Sequence, residues 1–307
     1  MAEKTYLDKL RRSARETGSI ACMGLDPVLE AIPERYAKGI NISGYFENIF
    51  AEMKKQGVLA GAFKPNAGFY LQHDKPRQGA FFGSLQLADV LRLLDEHFPG
   101  VPVILDYKRG DIATSSANYA REGFDGWGAD AVTVSPYMGT DSVMPFIDRA
   151  MQDGGGVYIL NRTSNPGAED LQNLDTIESV PEAMAIGAIP LYMVVSKKII
   201  AWARGNLGVG AVVGATSLEE LTNLAKFYSG KDISLLIPGV GGQGGKADEV
   251  VARLRDVGYD LGIVRINSSS GLTYPWKIRD KCPADYAKVC VEALAKLNEE
   301  ISYKPAA

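Results

Sequence analysis

The chain has 307 residues, 46% of them apolar and 23% charged, with a formal net charge of −4. That length suits one large α/β domain, and the composition excludes a disordered or collagen-like chain. With 33 Lys and Arg against 37 Asp and Glu, no cation excess supports generic nucleic-acid binding. Residues 3–16 read as a basic amphipathic helix (Tyr6, Leu7, Leu10, Ala14), expected to close the bottom of a barrel. Short apolar runs then recur at 20–25, 59–64, 101–106, 130–135, 156–160, 208–213, 234–238 and 261–267. They are rich in Val, Ile and Ala and do not alternate, as befits strands buried on both faces.

Helix-period segments lie between these runs. Residues 85–97 put Leu87, Val90, Leu91 and Leu94 on one stripe, and 181–205 is helical in pattern and longer. Residues 217–228 open with Ser217 and Glu220 at capping-box spacing, and 247–256 and 284–299 follow. Eight strands separated by helices predict a (β/α)8 barrel, a single domain over 1–307. An open doubly wound sheet is the alternative. The irregular segments 71–84 and 161–180 are expected to border the site, because barrel sites are built from loops at the carboxyl ends of strands.

The chemistry concentrates in Ile104-Leu105-Asp106-Tyr107-Lys108-Arg109-Gly110-Asp111-Ile112, at the end of the third strand. Residues two apart on a strand share a side, so Asp106 and Lys108 should project together. Asp111, past the strand, is free to face elsewhere, even a neighbouring subunit. Lys64 ends the adjacent second strand, which gives an alternating Lys–Asp–Lys–Asp array whose members all stay ionised. The plain alternative is a solvated ion-pair network on the barrel rim.

With these residues the chain resembles the orotidine 5′-phosphate decarboxylase family in its longer bacterial form, from about residue 20 to about residue 274. The matching pieces are Gly24-Leu25-Asp26-Pro27, Phe63-Lys64-Pro65-Asn66, Asp106 to Ile112, Ser135-Pro136-Tyr137-Met138-Gly139, Thr163-Ser164-Asn165-Pro166-Gly167-Ala168 and Pro238 to Gly245. The resemblance implies cofactor-free decarboxylation of orotidine 5′-monophosphate to UMP in pyrimidine synthesis. In it Lys108 protonates C6, Asp106 lies against the leaving carboxylate, and Lys64 orients Asp106 and contacts the ribose. Asp111 reaches a ribose hydroxyl in the partner's site, which makes the protein a homodimer. Asp26 binds ribose, Ser164 reads the pyrimidine edge, and Ser115, Pro238, Gly239, Gly241, Gln243 and Ser270 complete the substrate-binding set.

Gly239-Val240-Gly241-Gly242-Gln243-Gly244 also satisfies G-x-G-x-x-G. A dinucleotide site is rejected, because the loop follows the seventh strand, where barrels hold phosphate, and Pro238 precedes it. The loop 238–246 is therefore read as a phosphate loop, and the resemblance implies that it closes over the ligand. The chain departs from the family after strand eight, where Asn267-Ser268-Ser269-Ser270-Gly271 puts serine in the slot of a phosphate-gripping arginine. Ser270, backbone groups or the nearby Arg265 are the candidates to replace it.

The remaining residues carry less. Three cysteines, Cys22, Cys282 and Cys290, without CxxC spacing argue against disulfides or structural zinc and for a reducing compartment. The two histidines, His73 and His97, leave a Ser-His-Asp triad or His-ligated metal without parts. Trp127, Trp202 and Trp276 read as packing residues, and 277–281 as a solvated face with Lys277 a remote phosphate ligand. The charged N-terminus shows no signal peptide, and no run of ~18 apolar residues appears, so a cytoplasmic protein without membrane partners or metal is expected. Three rival functions remain: a metal-dependent sugar-phosphate enzyme of the same superfamily, a non-catalytic nucleotide-binding barrel, and a Schiff-base aldolase.

Overall fold

The apolar runs form eight parallel strands. The computed structural model describes residues 5–177, 187–241, 244–276, 278 and 281–304. The strands are β1 (Ala21–Leu25), β2 (Ala62–Pro65), β3 (Ile104–Arg109), β4 (Ala131–Val134), β5 (Gly156–Arg162), β6 (Val209–Val213), β7 (Ser234–Ile237) and β8 (Val264–Ser268). Their order in the sheet is β2-β1-β8-β7-β6-β5-β4-β3, so every strand lies beside its sequence neighbour. The two ends meet through single parallel bridges, Phe63 with Val103 and Asn66 with Asp106. This closes a (β/α)8 barrel and excludes the doubly wound sheet, whose strand order must reverse. Every residue of β1, β2, β4, β6, β7 and β8 is buried, as the lack of alternation predicts.

The longer described helices are α1 (Tyr6–Thr17), α2 (Ile42–Gln56), α3 (Phe82–His97), α4 (Ala113–Arg121), α5 (Thr140–Asp153), α6 (Leu191–Trp202), α7 (Leu218–Tyr228), α8 (Ala247–Asp256) and α9 (Tyr286–Ile301). On α3 the buried stripe is Leu87, Val90, Leu93 and Leu94, while Leu91 is only half-buried. Part of the helix expected at 181–205 lies outside the described residues; what is described begins at Leu191. The irregular stretch 161–180 holds a 3-10 turn, Pro166–Asp170, and a two-residue strand, Asp175–Thr176, paired antiparallel with Ile189–Pro190. Ser217 caps α7 by accepting the Glu220 N–H at 3.4 Å. The Glu220 carboxylate turns away to Arg162 at 2.9 Å and to the Asn173 amide at 2.9 Å, which ties the stretch after β5 to α7.

The amino end of the barrel is covered by α1. Thr5 accepts the Asp8 N–H at its start, and Gly18 (φ 65) ends it in the left-handed conformation. Tyr6, Leu7, Leu10 and Ala14 are buried there, and the Ser13 hydroxyl donates to the Gly61 carbonyl at 2.8 Å. Arg265 of β8 is 0% exposed. Its guanidinium donates to the carbonyls of Gly61 (3.0 Å), Gly262 (3.2 Å), Val264 (2.7 Å) and Leu10 (2.7 Å). Arg265 therefore belongs to the floor and cannot serve a phosphate at the opposite mouth. It shares a side of β8 with Asn267, but one layer lower. No described helix is long and apolar enough to cross a membrane.

Candidate active site

A cavity of about 510 Å³ opens at the carboxyl ends of the strands. Lys64 and Asp106 face each other across the β2–β3 closure, with Lys64 Nζ 2.8 Å from Asp106 Oδ2. Lys108 Nζ lies 2.5 Å from Asp106 Oδ1, and Lys64 Nζ lies 4.0 Å from Asp26 Oδ2. A continuous row Asp26–Lys64–Asp106–Lys108 results, and all four side chains line the cavity.

Burial grades along this row. Lys64, Asp106 and Asp26 are 4%, 6% and 8% exposed, whereas the Lys108 side chain is 46% exposed. Desolvation would raise the Asp106 carboxyl, but Lys64 and Lys108 overcome it and hold the acid far below its ordinary range. Desolvation likewise works to lower the Lys64 ammonium, yet Asp106 and Asp26 raise it above the usual lysine value. Both shifts favour the ionised Lys64–Asp106 pair at the centre of the row. Burial pushes the nearby Cys22 thiol up to about 12, which leaves it unreactive in the core.

Asp106 and Lys108 meet for a reason that strand alternation does not supply. Lys108 has φ 46, a left-handed conformation costing a non-glycine residue roughly 1–2 kcal/mol. The β3–β4 pairing shifts register between Leu105 and Arg109 at the same point. The bulge turns Lys108 back over its own strand toward Asp106. Two residues that sequence reasoning passed over hold this geometry. Asn66 donates its backbone N–H to Asp26 Oδ1 at 3.2 Å and its amide to Asp106 Oδ2 at 3.5 Å. The Thr133 hydroxyl of β4 meets Asp106 Oδ1 at 2.9 Å. Asn66 stood in the quoted Phe63-Lys64-Pro65-Asn66 string; Thr133 carried no signal beyond being the one hydroxyl in Ala131-Val132-Thr133-Val134.

Ser164, Pro238, Gly239 and Ser270 also line the cavity, together with the apolar side chains of Leu160, Val212 and Leu236. Gln172 joins them and fixes the loop that carries Ser164. It accepts the Thr163 N–H at 2.8 Å and donates to the Thr163 hydroxyl at 2.9 Å. Gly239, Gly241 and Gly244 have φ 96, 83 and 93, so the loop after β7 needs glycine at these positions. Gly241 borders the outer side of that loop rather than the cavity. Gln243 and Lys277 lie outside the described residues. Gly24 permits close approach on the other side, since a Cβ there would fall 2.0 Å from Ser269 Oγ.

Asp111 and Ser115, like Gly241, do not line the cavity. Asp111 is half-buried beyond β3, with Oδ1 accepting the Ile112 N–H (2.7 Å), and Ser115 sits in the first turns of α4. Among the described residues no three His, Cys, Asp or Glu side chains gather as a metal site.

Fold and site together define a closed parallel barrel with a lysine–carboxylate row at its catalytic end. The orotidine 5′-phosphate decarboxylase / HUMPS family matches residues 50–273, and the chain belongs to it. The orotidine 5′-phosphate decarboxylase of Herpetosiphon aurantiacus is 36% identical over 247 residues, covering 80% of this chain and 83% of that one. That of Delftia acidovorans is 35% identical over 280 residues, covering 88% and 90%. Among solved structures, OMP decarboxylase from Leishmania donovani superposes with a TM-score of 0.68 at 28% identity, covering 98% of this chain and 100% of that one. The UMP synthase of the same organism gives 0.70 at 30% identity; 99% of this chain matches 58% of its length.

Proposed function

We propose that the protein is a carboxy-lyase that converts orotidine 5′-monophosphate to UMP without a cofactor, working as one barrel domain. The observation that carries this reading is the Lys64–Asp106–Lys108 row in the cavity, together with the family. Breaking the C6–carboxylate bond releases carbon dioxide and leaves the electron pair on C6, where no adjacent carbonyl delocalises it. The Lys108 ammonium beside C6 steadies that pair and transfers its proton to it, then regains a proton from water. Asp106 stands where the substrate carboxylate would lie and disfavours it before reaction; as the bond breaks, that repulsion is relieved. Lys64 keeps Asp106 ionised and aimed, and with Asp26 it faces the ribose. Ser164 reads the pyrimidine edge. Pro238, Gly239 and Ser270 bind the phosphate, and the family resemblance assigns Gly241 and Gln243 to the same group; binding energy there, remote from C6, is realised in the transition state.

Asp111 and Ser115 complete the site of a second copy, so the working unit is a homodimer. Its support is that neither residue reaches its own cavity and that Ile112, Tyr137 and Met138 on adjoining loops are exposed at 59%, 83% and 45%. We place the enzyme in the cytoplasm.

The test is loss of the orotate-ring absorbance on mixing the purified protein with orotidine 5′-monophosphate. Turnover by wild type and its absence in Lys108→Ala supports the reading; a Lys108→Ala enzyme at wild-type rate refutes it. Mixing inactive Lys108→Ala with inactive Asp111→Ala restores activity only if each site draws on two subunits.

A further inference from the structure

We infer that Thr133 is a positioning residue for the proton donor, a role that rests on the assignment of Lys108 above. The Thr133 hydroxyl accepts the backbone N–H of Tyr107 at 3.2 Å and of Lys108 at 3.0 Å. These are donors at the point where the β3–β4 ladder slips register. With both accepting positions used, the single hydroxyl proton is directed at Asp106 Oδ1, 2.9 Å away. That oxygen is the one Lys108 Nζ meets at 2.5 Å, while Lys64 Nζ takes Oδ2 at 2.8 Å. One hydroxyl thus ties the backbone of the donor to the carboxylate its ammonium must face.

The tie fixes two degrees of freedom at once. Accepting two N–H groups satisfies the left-handed turn at Lys108, which the ladder leaves without strand partners. Donating to Oδ1 stops rotation of the Asp106 carboxylate, since each of its oxygens then has a fixed donor. Thr133 is 1% exposed on the fully buried strand β4, and its branched side chain is stiff at χ1. A hydroxyl so held transmits the strand's rigidity to the ammonium, and small misplacement of a catalytic group costs rate far more than substrate affinity.

Thr133→Val keeps the shape and removes the hydroxyl. Its kcat should fall about 10- to 100-fold, with KM and UMP affinity within about threefold, as expected for a lost hydrogen bond to a charged group that matters at the reacting centre. Thr133→Ser should recover most of the lost kcat. An unchanged kcat in Thr133→Val, or a loss of UMP affinity as large as the loss of kcat, overturns the inference. So does failure of serine to improve on valine. Should the valine variant not fold, amide exchange in the wild-type protein decides: slow exchange at Tyr107 and Lys108 supports the brace, and exchange at the rate of open loops overturns it. Lys108→Ala separates the two claims. A dead Lys108→Ala beside a fully active Thr133→Val removes only the role of Thr133, whereas an active Lys108→Ala removes the assignment of the proton donor.

Discussion

Lys64 and Arg265 are both buried, near opposite ends of this barrel, and they are held in opposite ways. Lys64 at the carboxyl end faces carboxylates, Asp106 at 2.8 Å and Asp26 at 4.0 Å, which raise its ammonium above the usual range. Arg265 at the amino end faces four carbonyl oxygens, and desolvation lowers its guanidinium below the usual value. The carbonyls are fixed dipoles belonging to strand ends and to α1, so Arg265 works as a clamp between backbones. The carboxylates are full charges that can respond to a substrate. Charge against dipole builds the floor; charge against charge builds the reactive mouth.

Removing Lys108 should give the largest effect, because it abolishes the exposed end of the charge row. If Lys108 is the proton donor proposed above, Lys108→Ala is expected to lower kcat by about a thousandfold or more while leaving thermal stability near wild type. Arg265→Ala should behave conversely. It removes four buried hydrogen bonds to carbonyls and opens a cavity, so urea unfolding should show a loss of about 3 kcal/mol or more, with kcat per folded molecule nearly unchanged. A large kcat effect from Arg265→Ala at intact stability would erase the contrast between the two ends.

The pH dependence sharpens it. The Asp106 acid is depressed in the folded state, so its stabilisation is present above the ordinary carboxylate value of about 4 and is lost as pH falls through the lower folded value. The Lys64 ammonium is raised, so its contribution is present below the ordinary lysine value of about 10 and is lost as pH climbs through the higher folded value. The gap in Tm between wild type and Asp106→Asn should therefore stay level from about pH 5 to 9 and narrow below about pH 4. A gap that closes near neutrality would contradict the pairing. The smallest effect expected is none: EDTA should leave turnover unchanged, because Lys64 stands at the strand end where a metal would have to sit, and inhibition would point to the metal-dependent branch.

The barrel was legible in the sequence because most of its strands are apolar on both faces, a pattern few other arrangements require. Boundaries were less so. The second and third runs begin at 59 and 101, yet β2 and β3 start at Ala62 and Ile104. Buried approach residues such as Ala60 and Val103 carry the same hydrophobicity as the strands they precede. In the site, Lys64, Asp106 and Lys108 were readable because each lies in the carboxyl-terminal part of an apolar run or just beyond it. The left-handed turn at Lys108 was not, since nothing in Asp106-Tyr107-Lys108 signals positive φ. Nor was Thr133, whose partners are backbone groups 25 and 26 residues away. Arg265 misled because nearness to Ser270 in the chain says nothing about depth along the barrel axis.

The barrel wall is not equally strong all round. Most neighbouring strands share runs of paired residues, but β2 and β3 touch through two isolated bridges alone. That weak seam runs directly under the contact between Lys64 and Asp106, so an ion pair spans the gap that backbone bonding leaves. Thermal breathing of the cylinder would start there, and a ligand gripping both side chains would rivet the wall shut at the moment of turnover.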